Sequence, residues 1–157
     1  MSMPETFTSR PAMLVFSHLR WEFVRQRPQH ILSRMAKNAN IFFIEEPIDF
    51  SEEQEGTLNV FTPEENITVV QPRIAWNGFI ETLIPLLQSF ISESAIHKPM
   101  LWFYSAAFVD VIGYISHSLV IYDCMDELSA FEGASVQLQE QEKRLIGIQP
   151  QQAVRFC

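Results

Sequence analysis

Residues 14–47, LVFSHLRWEFVRQRPQHILSRMAKNANIFFIEEP, constrain the fold more than any other stretch of the chain. An apolar run at 13–16 leads into a polar, aromatic and basic loop at 17–27, then a segment of helical periodicity, then a second apolar run at 41–44. That order is strand, loop, helix, parallel strand, the unit from which open α/β sheets are assembled. Pro28 suits a first helical position, where its missing N–H would lack a partner anyway. Ile31, Leu32, Met35, Ala36 and Ala39 recur on one helical face. Lys37 falls in the expected last turn, and Asn38 and Asn40 serve as exit residues. Both flanking runs are short, continuous and rich in Ile, Val and Phe, as strands covered on both faces are.

The same grammar recurs downstream. TLNVFT at 57–62 and the β-rich run at 67–71 flank a Pro-Glu-Glu-Asn turn and read as short marginal strands, a hairpin in form. Residues 78–94 form a helix with a broad apolar face, and Pro85 inside it predicts a kink or break. That face has two readings, packing on the sheet or contact with lipid headgroups. Packing is preferred, because the flanking charges are Glu81 and Glu93 rather than lysines or arginines. A buried-type strand at 100–104 follows. Ser105 then caps a helix whose inward stripe is Phe108, Val111, Ile112 and Ile115. Residues 119–122 are the next strand, and 134–146 are helix-prone. The expectation is a Rossmann-like open, mostly parallel α/β sheet with helices on both faces, spanning residues 13–146. Residues 1–12 read as a flexible leader. At 147–157, Gly147, Pro150 and three glutamines break the pattern where a doubly wound sheet would want a further buried strand.

Composition narrows the function classes. A hydrophobic content of 47% is ample for a packed core, and 157 residues suit one domain. The net charge of −8 argues against a nucleic-acid partner, which needs a broad basic face. Two cysteines, Cys124 and Cys157, give no disulfide or metal framework, and no ligand spacing indicates a dedicated metal site. Residues 1–11 lack a signal-peptide pattern and no apolar run is long enough to span a bilayer, so a cytoplasmic protein with at most peripheral membrane contact is expected.

The chemistry-bearing residues concentrate where open parallel sheets bind ligands, outside the carboxyl ends of the strands. The first loop carries Ser17, His18, Arg20, Trp21, Arg25, Gln26 and Arg27, followed by Gln29; Glu45 closes the second strand. Residues 17–37 hold five cations against one acid, Glu22. A basic patch in an acidic chain suits an anion-facing site. The alternative is that these arginines pair with Glu45, Glu46 and the acids beyond, and for any single arginine that structural reading is preferred. Tyr104 lies at the end of the strand at 100–104. Asp123, Asp126 and Glu127 form an acidic cluster after the next one. Asp123 and Glu127 read first as helix-capping or structural acids. Asp126 is the candidate catalytic carboxylate, and His18 is the second candidate base.

Three ordered segments carry a resemblance: SHLRWEFVRQRPQH with IFFIEEP, then LWFYSAAF, then LVIYDCMDELSAF. Together they are similar to the N-terminal region of bacterial GT-B glycosyltransferases related to enzymes of teichuronic acid and exopolysaccharide synthesis. The resemblance covers residues 13–146. It implies an acceptor-side domain facing a donor domain that would hold a nucleotide-sugar, with sugar transfer to a polysaccharide or lipid-linked acceptor and no other cofactor. On that reading Asp126 or His18 activates the acceptor hydroxyl. Arg20, Arg25 and Arg27 meet phosphate or carboxylate groups, and Ser17, Trp21, Gln26, Gln29, Glu45, Tyr104, Asp123 and Glu127 contact substrate. SHLRW stands where this group has a glycine-containing loop, which argues against a backbone cradle for a diphosphate. The resemblance further implies a chain truncated before the donor domain, inactive alone, or else a binding module or half of a split enzyme. A dinucleotide-binding domain is disfavoured because the first strand–helix turn lacks G-x-G-x-x-G. A receiver domain is disfavoured because no acid pair follows the first strand.

Overall fold

The computed structural model describes residues 10–48, 55–123, 136–147 and 153–156. A seven-stranded sheet is built from β1 (Ala12–Ser17), β2 (Asn40–Glu45), β3 (Thr57–Glu64), β4 (Ile67–Arg73), β5 (Met100–Phe103), β6 (Leu119–Asp123) and β7 (Ala153–Phe156). The order is β3-β4-β2-β1-β5-β6-β7. Every neighbouring pair is parallel except β3 with β4, which form an antiparallel hairpin at one margin. The helices are α1 (Arg27–Met35), α2 (Phe79–Glu93) and α3 (Val136–Ile146), with a 3-10 helix at Ala106–Gly113. The architecture is the expected Rossmann-like α/β sheet covered on both faces.

Strand alternation divides the core in two. Met13, Val15, Ile41, Phe43, Trp102 and Ile121 face the side of α1, where Leu32 and Ala36 close over them. Leu14, Phe16, Ile44, Leu101, Phe103 and Val120 face the other side, under α2, the 3-10 helix and α3. There Phe16 stacks on Phe103 at 4.9 Å and meets Phe108 at 5.2 Å. Such fully buried aromatic pairs add about 1 kcal/mol each beyond the area they bury.

Winding reverses at β1. The chain goes from β1 through α1 to β2 in one direction, then returns through α2 to β5 on the other flank of β1. The carboxyl ends of β1 and β5 therefore bound the crevice that open sheets use for ligands.

Four local expectations are corrected. The first helix starts one residue before Pro28 and ends at Met35, so its basic last-turn residue is Arg34 and Lys37 lies beyond it. Pro85 neither breaks α2 nor ends it. It sits on the exposed face, where the carbonyl left without an N–H can reach water. The segment after Ser105 winds as a 3-10 helix rather than an α-helix, although Ser105 caps it by accepting from the Ala107 N–H at 3.3 Å. Beyond residue 146, where no strand was expected, Ala153–Phe156 pairs in parallel with β6. A four-residue run is too short to show a period, and the open edge of β6 sets its register. Among the described residues, no helix is long and apolar enough to cross a membrane.

Candidate functional site

The loop between β1 and α1 folds back over the carboxyl edge of the sheet and is tied there by its arginines. Glu45, the last residue of β2, is fully buried. It accepts from Arg20 Nη1 at 3.1 Å, from the Trp21 N–H at 2.9 Å and from Gln71 Nε2 at 3.1 Å. Arg20 also donates to the carbonyls of Glu46 and Pro47. Trp21 is buried edge-on against Phe43, with ring centroids 5.1 Å apart. Arg27, at the start of α1, pairs with the buried Asp123 at the end of β6. Gln26 and Gln29 clasp the helix start: the Gln26 N–H donates to Gln29 Oε1 at 3.0 Å. Ser17 is buried and its hydroxyl accepts from the Leu19 N–H at 2.9 Å.

Arg25 takes a different direction. It pairs with Glu64 at 2.9 Å and donates to Ser33, so it points along α1 toward the hairpin turn at the far edge of the sheet. Arg20, Arg25 and Arg27 thus each hold a carboxylate of this chain. The structural reading of the basic loop is the one the geometry draws.

Parity at the end of β2 separates two adjacent acids. Glu45 follows Ile41 and Phe43 onto the α1 side, whereas Glu46 lies on the side of Ile44, toward α2. Ser105 Oγ donates to Glu46 Oε1 at 3.0 Å. Burial pushes the Glu46 carboxyl above its ordinary value, against the opposing pull of the Ser105 hydroxyl, the nearby His18 ring and Arg20. His18, half-buried, thus lies within electrostatic range of Glu46. On the α1 side, burial and the Asp123 carboxylate push the Tyr104 phenol up while Arg27 pulls it down. The Tyr104 hydroxyl is buried with no hydrogen-bond partner.

From Glu46 and Ser105 a groove of about 610 Å³ runs between the start of α2, the 3-10 helix and α3. Trp76 stands at its margin, half exposed, its ring stacked on Phe79 at 5.2 Å and 12°.

The structure therefore brings together Ser17, His18, Arg20, Trp21, Arg27, Gln29, Glu45, Tyr104 and Asp123 at one edge, and directs the Arg25 side chain elsewhere. Asp126 and Glu127 lie outside the described residues. Sequence reasoning passed over Glu46 as a site residue and Trp76 altogether. The doublet Glu45–Glu46 at a strand end was the available signal, since alternation must send one acid to each face. Among the described residues, no three His, Cys, Asp or Glu side chains gather to hold a metal ion.

No protein-family model matches the chain. No curated protein matches it. Among solved structures, the E. coli trehalose-6-phosphate structure bound with UDP-2-fluoro glucose is 11% identical over 71% of this chain and 32% of its own, with a TM-score of 0.49. The α,α-trehalose 6-phosphate synthase from Burkholderia multivorans is 6% identical over 87% of this chain and 37% of its own, also with a TM-score of 0.49. The chain spans about a third of the length of each.

Proposed function

We propose that this chain is the acceptor-side domain of a GT-B glycosyltransferase, receiving a carbohydrate or lipid-linked acceptor at the carboxyl edge of its sheet. The observation that carries the reading is the juxtaposition of Glu46 and Ser105 where the winding reverses, with His18 within electrostatic range of Glu46, opening onto a groove large enough for a sugar. His18 is the base for an acceptor hydroxyl. Asp126 is the alternative base. Arg20 and Arg27 position the loop and the carboxylates around it rather than meeting substrate charge directly. The motif resemblance at 17–30, 41–47, 101–108 and 119–131 supports the same assignment.

Transfer requires donor and acceptor fixed together, and that positioning is a large part of the catalysis. The nucleotide-sugar belongs to a second domain, supplied with this one or as a separate chain. A non-catalytic docking module is the second reading. It is favoured by Phe23 and Val24, an apolar pair about three-quarters exposed at the tip of the first loop, where a facing domain would cover them.

Calorimetric titration of the chain with oligosaccharides, nucleotide-sugars and NAD tests the assignment. Oligosaccharide binding that is weakened in His18→Ala is the expected result. Binding of NAD alone overturns it.

A further inference from the structure

The groove beside α2 has a composition that selects among ligands. Its walls carry three carboxylates, Glu46, Glu81 and Asp110, and two exposed aromatic rings, Trp76 and Tyr114. The side-chain amides of Asn77, Gln137 and Gln141 line it as well, Gln141 donating to the Ala107 carbonyl. No lysine or arginine is among the described residues that line it. Arg144 reaches the wall only to pair with Asp110 at 2.6 Å, and Arg20 is engaged by Glu45 and two carbonyls. The start of α2 opens into the groove and would favour an anion, but Glu81 already occupies that first turn. A phosphate or uronate entering here would meet the Glu46 and Glu81 carboxylates, with Asp110 already paired to Arg144 and no lysine or arginine among the described lining residues to receive it. An uncharged polyol would find hydroxyl acceptors, amide donors and a flat ring.

We propose that this groove binds an electrically neutral sugar ring, stacked on the Trp76 indole with a hydroxyl donating to Glu46. The inference rests on the acceptor-side reading and adds its substrate class: the terminal residue of the acceptor carries neither phosphate nor carboxylate. Trp76 is preformed for the role. Phe79 backs its ring in parallel and is itself braced edge-on by Phe108 at 5.5 Å, so the platform is anchored in the core while its outer face stays open. Ser105 fixes one oxygen of Glu46, which orients the carboxylate. Asp110 is held by Arg144, leaving Glu46, just past the end of β2, as the carboxylate nearest the reversal point.

The test uses the whole chain on an array of neutral glucose, galactose, mannose and N-acetylglucosamine oligosaccharides, with the 6-phosphorylated and uronate forms of each alongside. Retention of neutral glycans is expected, with Trp76→Ala weakening it about tenfold and Trp76→Phe much less. Glu46→Gln should weaken it severalfold. Intrinsic fluorescence gives a second readout, because Trp21 and Trp102 are 7% exposed and Trp76 is 50% exposed. Neutral glycan should shift the emission of wild type and leave that of Trp76→Phe unchanged. Circular dichroism of each variant excludes unfolding as the cause of any loss. Retention of charged glycans only, or full affinity in Trp76→Ala, overturns the groove assignment while the acceptor-side reading stands. Retention of no glycan overturns both.

Discussion

Truncating Arg20 to alanine is the sharpest probe of how the rim is held. Glu45 is fully buried and its carboxylate has three donors, from the loop side chain, the loop backbone and β4. Removing Arg20 leaves a charged carboxylate with the Trp21 N–H and one neutral amide. Stripping one partner from a fully buried pair costs about 3–5 kcal/mol. Arg20 is 26% exposed, so water can enter the vacated place, and the expected loss falls to about 2–3 kcal/mol. In a chain of 157 residues that corresponds to a fall in Tm of about 5–10 °C. Urea unfolding followed by circular dichroism should show a lower midpoint at unchanged slope. Adding Glu45→Gln to Arg20→Ala should recover part of the loss, because the uncompensated charge is then gone. An Arg20→Ala protein within about 0.5 kcal/mol of wild type would refute the reasoning. It would mean that the Arg20–Glu45 contact is a surface pair in disguise.

The other predictions grade outward from that centre. Arg27→Ala should cost about 1 kcal/mol or less, since Arg27 is half exposed though Asp123 is not. Arg25→Ala should fall within about 0.5 kcal/mol by the same unfolding assay. Tyr104→Phe removes a buried hydroxyl without a partner and should leave stability unchanged or raise it by about 1 kcal/mol, read as Tm. Gly78 caps α2 at φ +66°, and Gly78→Ala should cost about 1 kcal/mol through the left-handed backbone. Glu46 gives a pH dependence. Its pKa is raised in the fold, so the stability linked to it is fully present below about 4.5 and is lost as pH climbs through the folded value. Glu46→Gln does not titrate, so its Tm should gain on wild type between pH 4 and pH 7. A difference, Tm of Glu46→Gln minus Tm of wild type, that stays constant or falls over that range contradicts the assignment of burial as the dominant cause.

The strands were legible because parallel strands covered on both faces are written as unbroken Ile, Val and Phe runs. The hairpin was legible too, although its turn is Glu65–Asn66 and the strand runs on through Pro63 and Glu64, which the sequence pattern places in the turn. The helix at 79–93 was legible from its stripe, but the effect of Pro85 was not. Periodicity does not say whether a carbonyl freed by proline faces water. The 3-10 winding after Ser105 and the strand at Ala153–Phe156 are set by contacts with the rest of the sheet, which a local window does not contain. The rim was legible as a place, from residue types at strand ends. Its wiring was not: Arg20 meets a carboxylate 25 residues away and Arg27 one 96 residues away. Composition suggested an anion-facing loop, and the fold turned those cations inward onto its own acids. Trp76 escaped notice because an isolated aromatic between a strand and a helix carries no pattern until the groove beside it exists.

The stitching of the first loop has a consequence for how anything could enter. Arg20 fastens it to β2, Arg25 to the hairpin and α1, and Arg27 to β6, so the segment is pinned at intervals along its whole length. A segment secured in this way behaves as a fixed wall instead of a closing flap. A visitor to the rim meets a surface whose ordering entropy was settled during folding, and its association should be fast and rigid-body in character.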